Sequence, residues 1–143
     1  MDAILEIKGL KKDYADFQLS DLNLSIAPGT ITGLVGANGA GKSTTIKLIL
    51  NLIHRDAGSI RIFGIDNLEQ ETAVKERIGV VFDEPCFHDI LTPAQISGYM
   101  GGLYPLWDAG RFQRYLKDFG LPDKKTIKDF SRGMKMKLSI AVA

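Results

Sequence analysis

The residues best suited to chemistry lie together at Gly36-Ala37-Asn38-Gly39-Ala40-Gly41-Lys42-Ser43, which satisfies G-x-x-x-x-G-K-[ST] at every fixed position. Glycine reaches positive φ without strain and lets the backbone approach an anion with no Cβ in the way. Successive N–H groups can then point at phosphate oxygens. Lys42 brings a full positive charge for the β- and γ-phosphates, and the Ser43 hydroxyl is an oxygen ligand for Mg²⁺. The chemistry implied is capture of a nucleoside triphosphate together with its magnesium ion.

Such a loop needs a strand before it and a helix after it. Residues 31–35 read as a strand running straight into the glycines, and Ile46, Ile49, Leu50 and Ile53 follow at helical spacing. A helix that begins near Lys42 turns its positive end toward the same phosphates. Upstream, residues 3–8 place Leu5 and Ile7 on one face of a strand. In residues 17–26 the apolar parity flips at Ser20 and Asp21, which predicts a bulge or turn. Pro28 and Gly29 mark a turn.

Residues 59–63 alternate, with Ile60 and Ile62 on one side, whereas residues 78–82 are apolar almost throughout, as in a strand covered on both faces. The expected architecture is α/β, with an antiparallel N-terminal β region and a parallel core sheet. After Pro85 the pattern turns helical, at residues 93–100 and 109–119, with Thr92 as an N-cap before Pro93. In residues 134–143, Met134, Met136, Leu138 and Ile140 alternate like a strand, while Met134, Leu138 and Ala141 also fit a helix. One domain is expected, divided into residues 1–84 (β region and phosphate loop), 85–133 (helical sub-region) and 134–143.

Two stretches in order carry a family resemblance. The run from Gly36 to Ser43 continued by Thr44 and Thr45, with Asn38 inside it, resembles the Walker A sequence of ABC transporter ATPases. Phe130-Ser131-Arg132-Gly133-Met134 is similar to that family's signature motif, with Arg132 and Met134 in place of the usual glycine and glutamine. The resemblance implies a P-loop NTPase of the ABC-ATPase type, binding ATP and Mg²⁺ and hydrolysing ATP to drive transport through a separate membrane permease. It implies that Ser131 and Gly133 meet the γ-phosphate held by a second ATPase domain in a homodimer or heterodimer, and that residues 131–143 form a helix.

Tyr14 falls where the family places an aromatic that stacks on adenine. Asp83 falls where most members carry a glutamine near Mg²⁺ and the attacking water. A carboxylate there can still bind the metal, directly or through water, and Glu84 is a rival for the role. The run Gly133-Met134-Lys135-Met136-Lys137 is more similar to exporter-type members than to importers. In the family, the signature helix is followed by an Asp-Glu strand end and a switch histidine, which this truncated stretch does not reach. The resulting expectation is that these 143 residues alone bind ATP weakly or not at all and do not turn it over, while the intact parent does.

Composition narrows the partners. Lys plus Arg number 18 against 17 Asp plus Glu, so no strong field of either sign favours nucleic acid or an anionic membrane surface. No run approaches the roughly 20 apolar residues of a membrane span. A single cysteine, Cys86, gives no internal disulfide and has no sign of activation nearby. His54 and His88 lack metal-ligand spacing. The expectation is a cytoplasmic protein, held at the inner face of the cell membrane through its permease. A soluble ABC ATPase acting on ribosomes or DNA is the rival, but the long heptads or basic clusters of such proteins are missing here. A non-catalytic nucleotide-binding fragment is the plainer alternative.

Overall fold

Leu5 and Ile7 lie on the central strand β1 (Leu5–Tyr14), which pairs antiparallel with β2 (Phe17–Ile26) on one side and β3 (Ala57–Ile62) on the other. The computed structural model describes residues 3–84 and 87–143. They form two compact units that divide after Arg77, and each is described by itself.

In the first unit the sheet order is β2-β1-β3-β4, with the two-residue β4 (Ile65–Asp66) closing the edge. Leu5 sits between Ile26 and Ile62, and Ile7 between Leu24 and Ile60, so the alternation seen in the sequence becomes one apolar face. Ile7, Leu10, Ile60 and Ile62 are buried there. The parity flip at Ser20 and Asp21 is a bulge: Leu10 opposes Leu22 while Lys12 opposes Leu19, and Asp21 takes φ 53°. A second bulge on β1 lies between Ile7 and Leu10, around Gly9. Gly58 faces it at φ 87°, where a Cβ would stand 2.4 Å from the Gly9 carbonyl oxygen, so only glycine fits.

Helix α1 (Lys42–Ile49) follows the glycine loop, and the short α2 (Glu71–Lys75) follows β4. The carboxyl end of α1 closes as a Schellman turn. Asn51, with φ 53°, donates its N–H to the Leu48 carbonyl, and Leu52 N–H reaches the Lys47 carbonyl.

Among the described residues the expected parallel pairing is not formed. Residues 31–35 and 78–82 were both expected as parallel strands, yet neither enters a ladder, and every pairing in the four-stranded sheet is antiparallel. A parallel strand needs neighbours and cover on both faces. Ile31 and Val35 instead stand 104% and 92% exposed.

The second unit is helical: α3 (Pro93–Leu103), α4 (Ala109–Asp118), a 3₁₀ turn (Ile127–Asp129) and α5 (Arg132–Val142). Ile96, Phe112, Leu116, Leu121, Ile127, Phe130, Leu138 and Ala141 make its core. The entrances of the helices are written in polar residues. Thr92 and Gln95 form a reciprocal capping box on α3 ahead of Pro93, and the Asp108 carboxylate accepts from Arg111 N–H at 2.8 Å on α4. Burial of Leu138 and Ala141, three residues apart, settles residues 132–142 as helix over the competing alternation.

Candidate phosphate-binding site

The loop's shape follows from its glycines. Gly39 and Gly41 have φ of 81° and 90°, and Gly41 is the N-cap of α1 in the left-handed conformation. A Cβ on Gly41 would meet Phe17 Cζ at 2.9 Å and Leu19 Cδ1 at 3.2 Å, so glycine is required there by space as well as by φ. Strand β2 thus forms the floor beneath the loop. Thr45, buried, bonds the Gly41 carbonyl with both its N–H (2.8 Å) and its Oγ1 (2.9 Å), which locks the first turn of the helix.

No side chain caps α1 and no acidic residue stands in its first turn. The leading N–H groups of a helix carry partial positive charge and have no partner within the helix, so this end is built for an anion. Lys42 folds back over the loop, its Nζ donating to the Gly36 carbonyl at 2.6 Å and the Ala37 carbonyl at 2.8 Å. An ammonium has three N–H donors. Two of them hold the lysine in place, and the third remains for a ligand oxygen. Ala37, Asn38, Gly39 and Ala40 are exposed around it, Ser43 is exposed in the first helical turn, and Thr44 is half-buried.

Tyr14, about half exposed at 48%, lies with its ring centroid 6.4 Å from that of Phe17. Through Phe17 the structure therefore links Tyr14 to the floor under Gly41. Lys12 Nζ lies 5.6 Å from the Tyr14 ring centroid. In the sequence Phe17 stands only as an apolar strand position, and its relation to the loop shows in the space a Cβ on Gly41 would need.

In the second unit Ser131, Arg132, Gly133 and Met134 make the entrance of α5. Ser131 Oγ accepts from Met134 N–H at 3.2 Å, and Ser131, Arg132 and Gly133 are exposed. Asp83 and Glu84 are exposed in a bend of the same unit, and Cys86 lies outside the described residues. His54 and His88 are both exposed, and no group of three or more metal-ligating side chains occurs among the described residues.

A polar cluster behind the loop escaped the sequence reading. Arg55 Nη2 donates to both carboxylate oxygens of Asp66 at 2.9 Å, and Nη1 donates to Asn67 Oδ1 at 2.7 Å. Burial pushes the Asp66 carboxyl up, but the Leu68 N–H and the Arg55 guanidinium outweigh it and hold the pKa below the ordinary value.

The ABC transporter family model matches residues 19–143. The chain belongs to the ABC transporter family. Among relatives of this ABC family chain, the ABC transporter ATP-binding protein NatA of Bacillus subtilis is 36% identical over 129 residues, covering 86% of this chain and 52% of NatA. The daunorubicin resistance ATP-binding protein DrrA3 of Streptomyces coeruleorubidus is 32% identical, covering 99% of this chain and 47% of DrrA3. A solved ATP-binding subunit of an ABC transporter superposes with a TM-score of 0.86 at 29% identity, covering 98% of this chain and 61% of that one. The chain thus spans about half the length of these curated relatives.

Proposed function

We propose that this chain carries the ATP-binding half of an ABC transporter ATPase, which hydrolyses ATP to drive a separate membrane permease. The observation that carries the reading is the pairing of an uncapped α1 entrance with a lysine already fixed by two loop carbonyls. The N–H groups of the loop and of the first turn receive the β- and γ-phosphates, and Lys42 neutralises part of their charge. Fixing the ammonium beforehand spares the ligand the cost of ordering a long side chain.

Mg²⁺ keeps several waters and binds through few protein oxygens plus substrate phosphates. The exposed Ser43 hydroxyl, in a loop with no acidic cluster of its own, suits an ion that arrives with the triphosphate. Ser43 would hold the ion, which when bound would offset part of the triphosphate's charge. Tyr14, set beside Phe17 at the rim of the loop, is the proposed stacking surface for adenine. Ser131 and Gly133, exposed at the entrance of α5, are proposed to meet the γ-phosphate held by a second ATPase domain.

No helix among the described residues is long and apolar enough to cross a membrane, so a transport role requires a permease supplied by another segment or chain. A relative named for resistance to daunorubicin favours export, since resistance is served by removing a toxic compound.

The test is titration of the purified chain with labelled ATP and Mg²⁺ beside Lys42→Ala. These 143 residues alone are expected to bind ATP weakly, and the preformed loop favours binding that is nonetheless saturable. Removing a charged donor costs about 1.5–3 kcal/mol, so the variant should bind about 10- to 100-fold more weakly. Equal binding by both proteins would defeat the assignment of the loop.

A further inference from the structure

The entrance of α1 has no side-chain cap of its own, so part of what fixes this helix must act elsewhere. Its far end is held by Asn67. That side chain is buried, and its Nδ2 donates to the carbonyls of Leu48 (2.9 Å) and Ile49 (3.0 Å), in the last turn of α1. Asn67 is itself fixed on two sides. Its N–H donates to the Ile60 carbonyl in β3 at 3.1 Å, and its Oδ1 accepts from Arg55, whose other terminal nitrogen is gripped by Asp66. Asp66 in turn accepts from Leu68 N–H at 2.9 Å. The Arg55 and Asp66 side chains are only 13% and 14% exposed, so water competes little for these bonds.

We propose that Asn67, oriented by the Arg55–Asp66 pair, is a positioning residue for phosphate binding: it ties the carboxyl end of α1 to the sheet and thereby aims the amino end at the ligand. The proposal rests on the reading of residues 36–43 as a nucleotide site. An eight-residue helix is a rod about 12 Å long, so freedom at one end becomes displacement at the other. The amide also places two N–H donors against the negative end of the helix dipole, where they are favoured. Arg55 explains why the amide cannot turn over. With Oδ1 held by a guanidinium, only Nδ2 can face the helix carbonyls. Asn67 touches no phosphate, and its effect on binding passes through α1.

Asn67→Asp is the sharpest variant. It keeps the volume and the acceptor toward Arg55, but replaces the two donors with an oxygen facing two carbonyls. Asn67→Ala is the second variant, in case the added charge prevents folding. Two quantities are read on chains shown to be folded: the dissociation constant for labelled ATP with Mg²⁺, and amide hydrogen exchange across the first unit without nucleotide. Loss of a buried hydrogen bond that leaves its acceptors unpaired is worth about tenfold or more in an equilibrium. The expected result is ATP binding weakened about tenfold, with exchange in residues 45–49 about tenfold faster while the β1–β2 hairpin keeps its protection.

Wild-type affinity in a folded variant, or faster exchange in α1 with unchanged affinity, would overturn the proposal. So would a uniform rise in exchange through helix and sheet together, which would make Asn67 a general stabiliser. If the unaltered, folded chain binds no ATP, the loop is not sufficient for binding in these residues, while the exchange pattern still decides whether Asn67 holds the helix.

Discussion

Helices α1 and α5 are held in opposite ways. Helix α1 starts at a left-handed glycine with no side-chain cap and is gripped at its other end by a buried asparagine, which an arginine paired with an aspartate holds in place. Helix α5 starts at a serine that caps it and rests on an apolar core through Leu138 and Ala141. The difference teaches where each can meet an anion. The α1 entrance leaves its donors for a ligand, so its orientation is supplied by a polar clamp behind it. The α5 entrance is partly satisfied by its own serine and stands firm without a ligand. The first suits a primary phosphate site, and the second suits an accessory contact.

The largest effect should come from breaking the apolar support of α5. Phe112 is 1% exposed at the centre of the helical unit's core, with its ring centroid 5.3 Å from that of Trp107. Phe112→Ala should cost about 3–5 kcal/mol through lost burial and the cavity left behind. Loss of the helical circular dichroism of the second unit at a lower denaturant concentration checks this. A shift under 1 kcal/mol would mean that the core is not what holds α5.

Acid should separate the two supports next. The Asp66 carboxyl in the folded chain lies below its unfolded value of 3.8, chiefly because the Leu68 N–H and Arg55 overcome the effect of burial. The unfolded chain therefore binds the proton first. The contribution of the pair is fully present above the unfolded value and is lost as pH falls below 3.8 through the folded value. Asp56, through the Asp13 N–H and Lys12, and Glu71, through Lys75 and Asn51, are lowered in the same sense and lie in the same unit. Exchange protection of α1 should thus fall on acidification, and Asp66→Asn should flatten that fall while starting from lower protection. An acid profile unchanged by Asp66→Asn would remove the ion pair from the account.

How legible these features were in the sequence depended on how local their causes are. The loop, the Thr92 cap and the β2 bulge were readable because each is a matter of residue type at short spacing: Gly41 before Lys42, Thr92 before Pro93, a parity flip at Ser20 and Asp21. The clamp was not readable. Asn67 bonds carbonyls 18 and 19 residues away, and any of many polar residues could have done so. Phe17 showed itself as a strand position, not as the floor under Gly41. The apolar runs at residues 31–35 and 78–82 were over-read as parallel strands, because such a run records a preference for burial and does not name the strand that would pair with it.

The smallest effect tests the capped side of the comparison. Ser131 Oγ accepts one leading N–H of α5, that of Met134, at 3.2 Å, and the side chain is exposed. Ser131→Ala should therefore cost about 1 kcal/mol of stability in the second unit, the usual value of an N-cap, read as a small fall in its melting midpoint. Replacement by Asp should retain the cap and favour the positive end of the helix. The same replacement puts a negative charge where a phosphate would have to approach. If Ser131 is only a cap, Asp leaves any nucleotide-driven pairing of ATPase domains unchanged. If its donors also receive phosphate, the Asp variant should keep the stability yet lose nucleotide-driven pairing of ATPase domains, a split that a structural role alone cannot produce.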